Sequence, residues 1–437
     1  MLRSVSILLH TALGLACLLA STAWAADEAP ITEDPQAQLP LKELRMFVDA
    51  FEQIRSHYVE EVDDQTLLKY AIEGMLSGLD PHSAFLDTAD FTDLQDSTSG
   101  EFGGLGMEVG MEDGLIRVIA PIDDTPAQRA GIESGDFIIR IDGQSITGMN
   151  LDSAVDMMRG KPGSKISITV LREGVDQPFE LTLTRAIIRV HSVRSETLEP
   201  GFGYIRIASF QEKTGSEIDE AIGTLKATNK PLKGIVLDLR NNPGGLLQSS
   251  VQVVDAFLSE GLVVYTEGRQ PDSVMRFEAS GTDLSDGVPL VVLINNGSAS
   301  ASEIVAGALQ DHHRAIIMGT RSFGKGSVQT VLQLSDDQAI KLTTALYFTP
   351  SGRSIQAQGI EPDITVQRAR ITNIENTAAL SLSEADLKGH LGNGNGKADA
   401  KPAANEKAGS LQERDNQLYE ALTLLKGLNI LARPAAQ

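Results

Sequence analysis

Three serines spaced two residues apart follow a continuous apolar run and precede a helix-like segment: Ser298, Ser300 and Ser302. A turn between a buried strand and a helix exposes a side chain at the sheet edge and leaves backbone N–H groups without partners, which suits the oxyanion of acyl transfer. Ser300 and Glu303 have the spacing of a capping box, which places Ser300 at the N-cap and Ala301 in the first helical turn. A serine-rich turn is more often only a cap, and this segment does not choose among the three hydroxyls.

A second candidate is Lys325, which stands between two glycines in the segment Phe-Gly-Lys-Gly-Ser. Lysine acts as a general base only when its amine is neutral, so burial must lower its pKa. Gln329 lies four residues further on, on the same side of either a strand or a helix, where its amide oxygen can orient the amine. Taken alone, Gly-Lys-Gly is more often a simple turn.

A third candidate is the segment Asp-Leu-Arg-Asn-Asn-Pro-Gly-Gly at residues 238–245, which follows an apolar run. Pro-Gly-Gly fixes a tight turn whose glycine N–H groups can face a ligand, although an ordinary strand-to-helix turn fits equally well. The sequence does not decide between Gly244 and Gly245 as the N–H donor.

The elements that would position these segments alternate between strands and helices. Between residues 203 and 318, continuous apolar strands such as Ile235-Val236-Leu237 are typical of a helix-covered α/β sheet. Residues 101–184 instead show short strands and glycine turns, which predict a small β-rich module. Apolar residues at helical spacing predict two amphipathic helices before residue 80 and one after residue 410, and residues 387–409 have the composition of a flexible linker.

The first 25 residues predict a cleaved secretory signal, because Arg3 precedes a short apolar run that ends in Ala-Trp-Ala. An uncleaved anchor is the alternative, but the run is shorter than a bilayer span requires. Cys17 is the only cysteine, so cleavage leaves no thiol and excludes disulfides, cysteine catalysis and thiolate metal sites; a lipid on Cys17 is a minor alternative. The net charge of −22 argues against binding nucleic acid.

The three segments and the β-rich module together resemble the carboxyl-terminal processing proteases, or tail-specific proteases, of the bacterial periplasm, which carry a PDZ domain. The resemblance implies a crotonase-like α/β protease core with an inserted PDZ-like β-rich domain and helical N- and C-terminal segments. It makes Ser300 the nucleophile, Lys325 the base and Gln329 the residue that positions the base. The oxyanion hole is then formed by the N–H of Ala301 and that of a glycine in Asn-Pro-Gly-Gly, and neither a cofactor nor a metal is required.

The predicted organisation has six parts: a signal peptide (1–25), an N-terminal helical region (26–99), the PDZ domain (100–186), the serine protease core (187–370), a flexible linker (371–410) and a C-terminal helix (411–437). In the PDZ domain, a short loop is expected to bind the terminal carboxylate of a peptide, which then adds as a strand beside residues 107–109. That loop comprises Gly103, Gly104, Leu105 and Gly106. The alternative is that this module is only a lid over the active site.

The expected partners are protein substrates with apolar C-termini, with cell-envelope enzymes as candidates, and a helical-repeat adaptor lipoprotein. The expected location is the periplasm, with membrane association as an option. Exposed apolar stripes on the terminal helices predict a homo-oligomer, with packing of these helices on their own protomer as the alternative.

Four alternatives compete with this interpretation. A Ser-His-Asp triad would need His312 or His313, but both end a helix, where positive side chains favour its negative pole. Metal catalysis lacks a His-Glu-x-x-His pattern. A crotonase-like hydratase and a PDZ scaffold with an inactive hydrolase domain are the remaining alternatives.

Overall fold

The computed structural model describes residues 40–112, 114–122, 124–370 and 411–431. The predicted signal peptide with Cys17, and the predicted linker at 371–410, lie outside the described residues. The chain divides into two units, residues 1–74 and residues 75–437. None of the helices in the described ranges is long and apolar enough to cross a bilayer.

The N-terminal unit contains helix α1 (Leu41–His57) and most of helix α2 (Asp64–Ser77). Arg55, near the end of α1, forms ion pairs with Glu52 at 2.8 Å and with Asp64 at 3.5 Å. Helix α1 has no buried residue, and its apolar side chains, including Phe47 and Ile54, are exposed.

The second unit begins with the elements that lead into and form the β-rich module. In chain order these are β1 (Ala84–Leu86), α3 (Thr88–Ser99), β2 (Glu101–Gly104), β3 (Met107–Glu112), β4 (Leu115–Pro121), α4 (Pro126–Arg129), β5 (Phe137–Ile141), β6 (Gln144–Ser145), α5 (Leu151–Met158), β7 (Lys165–Leu171), β8 (Phe179–Thr184) and β9 (Ala186–Arg189).

The β-rich module is an antiparallel sheet in the order β3-β4-β5-β7-β8, with β6 paired to β5. Alternate residues of β7, namely Ile166, Ile168 and Val170, are buried in its core, as expected for a sheet with one solvated face. Strands β2 and β9 form a separate two-stranded ribbon where the chain enters and leaves the module.

The rest of the unit alternates strands and helices, as the apolar pattern predicts. Its elements are β10 (Val193–Glu199), β11 (Phe202–Ile207), α6 (Thr214–Thr228), β12 (Gly234–Asp238), α7 (Leu247–Asp255), β13 (Gly261–Gly268), β14 (Arg276–Ala279), β15 (Leu290–Ile294), α8 (Ala301–Asp311), β16 (Ile316–Gly319), β17 (Ser327–Gln333), β18 (Ala339–Phe348), β19 (Ile364–Thr365), α9 (Leu411–Arg414) and α10 (Asn416–Leu431).

The central sheet has the order β10-β11-β12-β15-β16-β19 and is parallel from β11 onwards. Every residue of β12 and of β15 is buried, because helices cover both faces. Helices α6, α7 and α8 pack on one face, and α10 packs on the other. The result is a three-layer α/β unit.

Strand β18 belongs to a second sheet, in which it pairs with β1, β13 and β17, and β14 pairs with β13. All of these pairings are antiparallel.

The C-terminal helix requires a correction. Self-association through this helix requires the apolar side chains on one side of it to be exposed. Leu418, Leu422 and Leu425 are instead buried against strands of the same chain, beside Val236 and Val291. For this helix the assumption is wrong, because the stripe covers the second face of its own sheet.

Candidate active site

The three segments singled out in the sequence follow three neighbouring parallel strands. Residues 239–245 follow β12, residues 295–300 follow β15, and the loop that carries Lys325 follows β16. Because β12, β15 and β16 are adjacent and parallel, their carboxyl ends lie at one edge of the sheet. The topology therefore brings the three segments together.

Hydrogen bonds distinguish the three serines. The Ser298 hydroxyl donates to the Leu239 carbonyl at 2.8 Å and the Ser302 hydroxyl donates to the Asn242 carbonyl at 2.9 Å, and both serines are fully buried. These two serines fasten the turn after β15 to the turn after β12. Ser300 is partly exposed and lines a cavity, so its hydroxyl is the one that a substrate can reach.

Ser300 has an unusual backbone conformation, with φ 55° and ψ −114°. Such a conformation costs about 1–3 kcal/mol and persists only where the surroundings hold it, commonly at active sites. Ser300 is the N-cap of α8, and the following amide, that of Ala301, has no acceptor within the described residues. This free N–H sits at the positive end of the helix.

Glu303 connects the serine turn to the lysine loop. Its carboxylate is fully buried and accepts four hydrogen bonds: from the N–H of Ser300 at 2.8 Å, the N–H of Lys325 at 2.9 Å, the N–H of Gly324 at 2.7 Å and the hydroxyl of Ser322 at 2.5 Å. Burial raises the pKa of Glu303, and these hydrogen bonds oppose that shift. All four partners are donors, so the site is built for the ionised carboxylate.

Tyr347 forms a second link between the same two segments. Its buried hydroxyl donates to the carbonyl of Lys325, and the Ser300 side chain hydrogen-bonds to that hydroxyl. Burial raises the pKa of Tyr347 well above its ordinary value, so the hydroxyl stays protonated.

The environment of Lys325 favours the neutral amine. Burial is the main cause that lowers its pKa, the positive charge of Lys341 lowers it further, and the carboxylates of Asp80 and Glu303 oppose the shift. Within the described residues the amine has no hydrogen bond and no ion pair. An amine without a bound carboxylate can accept a proton from a hydroxyl.

Gln329 lines the cavity with Lys325, but the described residues show no hydrogen bond between the two side chains. The Gln329 amide nitrogen donates to the hydroxyls of Ser327 at 3.0 Å and Thr343 at 3.2 Å. This leaves the amide oxygen without a donor in the described structure. Its role as the residue that orients Lys325 remains a prediction.

The two glycines of Asn-Pro-Gly-Gly differ in what their amides do. The N–H of Gly244 donates to Asn242 Oδ1 at 2.9 Å, whereas the N–H of Gly245 has no acceptor within the described residues. A Cβ on Gly244 would lie 2.8 Å from Ser300 Cβ, and one on Gly245 would lie 2.2 Å from the Phe210 carbonyl oxygen. Both positions therefore require glycine, and of the two only Gly245 keeps a free N–H, as does Ala301 across the cavity lining.

The cavity that holds these groups has a volume of about 570 Å³. Its apolar walls come from Phe210, Leu246, Leu247, Ile304 and Val328. Such a cavity admits an extended peptide segment with an apolar side chain beside Ser300. The described residues include no cluster of three or more His, Asp and Glu that could hold a metal ion.

Three cavity residues were not recognised as candidates from the sequence: His82, Lys341 and Tyr347. His82 lies in Asp-Pro-His-Ser, which the sequence indicates only as a helix break. There Asp80 accepts hydrogen bonds from the N–H groups of His82 and Ser83. Burial and the charge of Lys325 lower the pKa of His82. Lys341 and Tyr347 both belong to β18, but an extra residue in that strand, Thr344, places them on opposite faces, so alternation along the sequence does not group them.

The turn after β12 is also tied to the C-terminal helix. Arg240 forms an ion pair with the buried Asp238 at 2.6 Å and another with Asp415 at 2.7 Å, and it donates to Gln417 Oε1 at 3.0 Å. Because Arg240 is only 12% exposed, these ion pairs are shielded from solvent. The segment that begins α10 therefore supports the turn that carries Gly244 and Gly245.

The histidines considered for a triad lie elsewhere. His312 Nε2 contacts the Leu262 carbonyl at 2.7 Å at the end of α8, and neither His312 nor His313 is among the described residues that line the cavity. The cavity histidine is His82, so any histidine rival to Lys325 must be His82.

The loop predicted to bind a peptide's terminal carboxylate, residues 103–106, lies just before strand β3. Gly103 and Gly104 belong to β2 and pair with Ile187 and Ala186, whereas the N–H groups of Leu105 and Gly106 have no acceptor in the described structure. Leu105 is buried in the core of the module.

The groove beside this loop is bounded by β3 and α5. Strand β3 is at the edge of its sheet, so its outer side can pair with an added strand. Met107 and Val109 of β3 pack in the same cluster as Leu151 and Val155 of α5. These side chains give the groove an apolar floor.

Comparison with known proteins agrees with this architecture. Residues 201–366 match the family model of peptidase family S41, residues 117–172 match a PDZ domain, and residues 13–90 match the N-terminal domain of the activating protease CtpB.

Relatives match over most of the chain. A carboxy-terminal-processing protease of Bartonella bacilliformis is 50% identical over 390 residues, which are 88% of this chain and 89% of that protein. The carboxy-terminal processing protease CtpA of Bacillus subtilis is 38% identical over 323 residues, 73% of this chain and 68% of that protein. Among solved structures, a photosystem II D1 C-terminal processing protease shares 31% identity with a TM-score of 0.45, covering 74% of this chain and 93% of that chain.

The fold and these relatives define a serine-type peptidase that acts on proteins and carries a PDZ domain. The chain belongs to peptidase family S41, the carboxy-terminal processing proteases.

Glu303→Gln tests the link between the two catalytic segments. A glutamine has the same shape, but its NH₂ group would face two of the four donors, so the turns that carry Ser300 and Lys325 should separate. We expect kcat to fall about 30-fold, equivalent to about 2 kcal/mol, with little change in KM. Steady-state kinetics on a peptide substrate measures this, with the exposed Glu278→Gln as the matched control. An unchanged kcat in Glu303→Gln would contradict this role.

Proposed function

We propose that this protein hydrolyses peptide bonds with Ser300 as nucleophile and the neutral amine of Lys325 as general base. The observation that carries this proposal is that Ser300, Lys325 and the free N–H groups of Ala301 and Gly245 share one cavity. The lowered pKa of Lys325 supports its role as a base.

In the proposed reaction, Ser300 Oγ attacks the scissile carbonyl and its proton passes to Lys325 Nζ. The negative charge on the tetrahedral intermediate is stabilised by the N–H groups of Gly245 and Ala301. Lys325 then returns the proton to the leaving amine, and an ester remains on Ser300. Water, activated by the same amine, hydrolyses that ester.

Other residues would hold this geometry. Glu303 and Tyr347 fix the distance between the Ser300 turn and the Lys325 loop through their hydrogen bonds. Gln329 would orient the Lys325 amine through its free amide oxygen. Gly244 admits Ser300 because its Cα carries no side chain.

We further propose that the PDZ domain selects substrates by their C-termini. The free N–H groups of Leu105 and Gly106 suit a terminal carboxylate, and the edge strand β3 suits an added peptide strand. The apolar floor formed by Met107, Val109, Leu151 and Val155 favours an apolar last residue.

The remaining proposals rest on the sequence. We propose a crotonase-like α/β core, export through the segment at 1–25 and a periplasmic location. An adaptor lipoprotein and self-association are proposed partners, and the exposed apolar side chains of α1 support a contact of the N-terminal helices with one of them. The match of residues 13–90 to the CtpB N-terminal domain supports the same view.

Substrate tails test the PDZ proposal. One protein substrate with an apolar C-terminal residue should be cleaved about tenfold faster than the same protein ending in Asp-Asp, which loses the apolar contact, or in an amide, which loses the charge-assisted contact of the terminal carboxylate. Initial rates under kcat/KM conditions measure this. Val155→Glu in the groove should abolish the difference, whereas the neighbouring, exposed Asp156→Asn should preserve it. Equal rates for all tails with the unmodified enzyme would leave the PDZ domain as a lid.

A further inference from the structure

The charged residues that line the cavity are basic, whereas the chain as a whole has an excess of acidic residues. The sequence contains 59 acidic and 37 basic residues. Among the described residues that line the cavity, however, His82, Lys325 and Lys341 can carry a positive charge, and none is Asp or Glu. A concave wall lined by one sign of charge concentrates its field inside the cavity.

Lys341 is the cavity cation without an assigned role. It lies on β18 between Ala84 of β1 and Val331 of β17, so neither neighbour across the sheet is acidic. Within the described structure, no carboxylate lies within ion-pairing distance of its amine. The ammonium of Lys341 is thus available to an anion from outside.

One acidic residue, Asp80, lies beside His82 and is already engaged. It accepts hydrogen bonds from the N–H groups of His82 and Ser83 and from the hydroxyls of Ser83 and Thr343. Both of its oxygens are therefore occupied, and neither is bonded to the amine of Lys341.

The position of Lys341 determines how far from the scissile bond a bound substrate carboxylate would lie. Lys341 and Tyr347 both line the cavity and lie six residues apart on β18, which is at most about 20 Å along an extended strand. Tyr347 contacts Ser300, and the flexible lysine side chain spans about 6 Å of the interval. An extended substrate would cover the rest with about two to four residues.

We propose that Lys341 is a specificity-determining residue that binds a substrate carboxylate two to four residues from the scissile bond. The carboxylate comes from an acidic side chain or from the free C-terminus of the substrate. This inference rests on the proposed catalytic role of Ser300 and adds a second determinant of substrate choice inside the cavity.

The test for an acidic side chain uses peptides that contain one cleavable bond and an amidated end. Glu or Gln is placed in turn at the positions two to four residues from that bond on each side. At one or two positions, kcat/KM should be about tenfold higher for Glu than for Gln, and this ratio should fall as salt is raised. In Lys341→Met the ratio should fall to about one. Lys341→Arg should keep the preference, and the exposed Lys165→Met is the control for loss of charge.

The test for a free C-terminus uses peptides shortened so that the last residue falls at the preferred spacing. A carboxylate end should then be cleaved faster than an amide end, and this preference should disappear in Lys341→Met. A preference that persists in Lys341→Met but is lost in Val155→Glu belongs to the PDZ domain and overturns the assignment to Lys341.

The two proposals fail in different ways. Normal cleavage with a Glu-to-Gln ratio of one at every position, or a ratio that survives Lys341→Met, overturns the carboxylate site and leaves the catalytic proposal intact. Cleavage that continues in Ser300→Ala overturns the catalytic proposal, whatever the ratios are.

Discussion

Ser300→Ala is expected to lower kcat by about 10⁴- to 10⁶-fold and to leave the fold intact. The substitution removes the proposed nucleophile and one hydrogen bond to Tyr347, while the four hydrogen bonds to Glu303 are backbone or Ser322 contacts that remain. Alanine does not relieve the backbone strain at position 300, because its φ is restricted in the same way as that of serine. Peptide hydrolysis and a thermal unfolding curve measure the two expectations together.

The neighbouring serines are the matched controls for this variant. Ser298→Ala and Ser302→Ala each remove a buried hydroxyl that holds the turns after β12 and β15 together. Each should cost about 1–3 kcal/mol of unfolding free energy and retain activity within about tenfold. An inactive but folded Ser302→Ala beside an active Ser300→Ala would show that the nucleophile is misassigned.

Lys325→Arg is expected to lower kcat/KM by about 10³-fold or more, although the positive charge is retained. A guanidinium is not deprotonated at usable pH and so cannot take the proton of Ser300. A positioned general base contributes about 10²- to 10⁴-fold, which sets the expected loss. Lys325→Met should be similarly impaired, because it also removes the base. Near-normal rates in Lys325→Arg would show that Lys325 acts through its charge.

The pH dependence of the unmodified enzyme follows from the same assignment. The proposed reactive form of Lys325 is neutral, so kcat/KM should rise with pH and level off above the pKa of Lys325, which burial holds below that of a free lysine. If His82 were the base, activity should instead rise at a lower pH, through a pKa below that of a free histidine, because burial and the charge of Lys325 lower the pKa of His82. The pH profile of His82→Asn distinguishes the two, since loss of the rising limb in that variant would contradict Lys325 as base.

The sequence indicated the three segments that meet at the cavity because each is local. Ser300 with Glu303 and Lys325 with Gln329 are short spacings, and Asn-Pro-Gly-Gly is a continuous turn. Continuous apolar strands also indicated a helix-covered α/β sheet, and the structure adds that these strands are parallel, so that their carboxyl ends meet at one edge. The choice among Ser298, Ser300 and Ser302 was beyond local patterns, because it depends on the carbonyls of Leu239 and Asn242, about sixty residues earlier in the chain.

The walls of the cavity were not predictable for the same reason. His82 and Lys341 are separated by more than 250 residues, and they share a wall because β1 pairs with β18 in one particular register. A shift of that register by one residue would turn Lys341 to the other face of the sheet. The amide of Gly244 became distinguishable from that of Gly245 only because the Gly244 N–H donates a hydrogen bond to Asn242 Oδ1.

The C-terminal helix shows that tertiary packing, and not the local sequence pattern, decides which surface an apolar helix face covers. Its stripe of Leu418, Leu422 and Leu425 has the pattern of any amphipathic helix, and that pattern cannot specify the surface that the stripe covers. Here it covers the sheet of its own chain, and Asp415 just before it forms an ion pair with Arg240 in the turn after β12. Residues 411–431 therefore pack on the same unit that holds the candidate active site.

Trapping the covalent intermediate tests the central claim most directly. The enzyme is mixed with a peptide substrate, quenched in acid within the first turnover, and examined by mass spectrometry of the intact chain and of its peptide fragments. The proposed dyad predicts an ester between the N-terminal part of the substrate and Ser300, and none in Lys325→Arg over the same interval. An adduct on Ser298 or Ser302, or undiminished ester formation in Lys325→Arg, would contradict it.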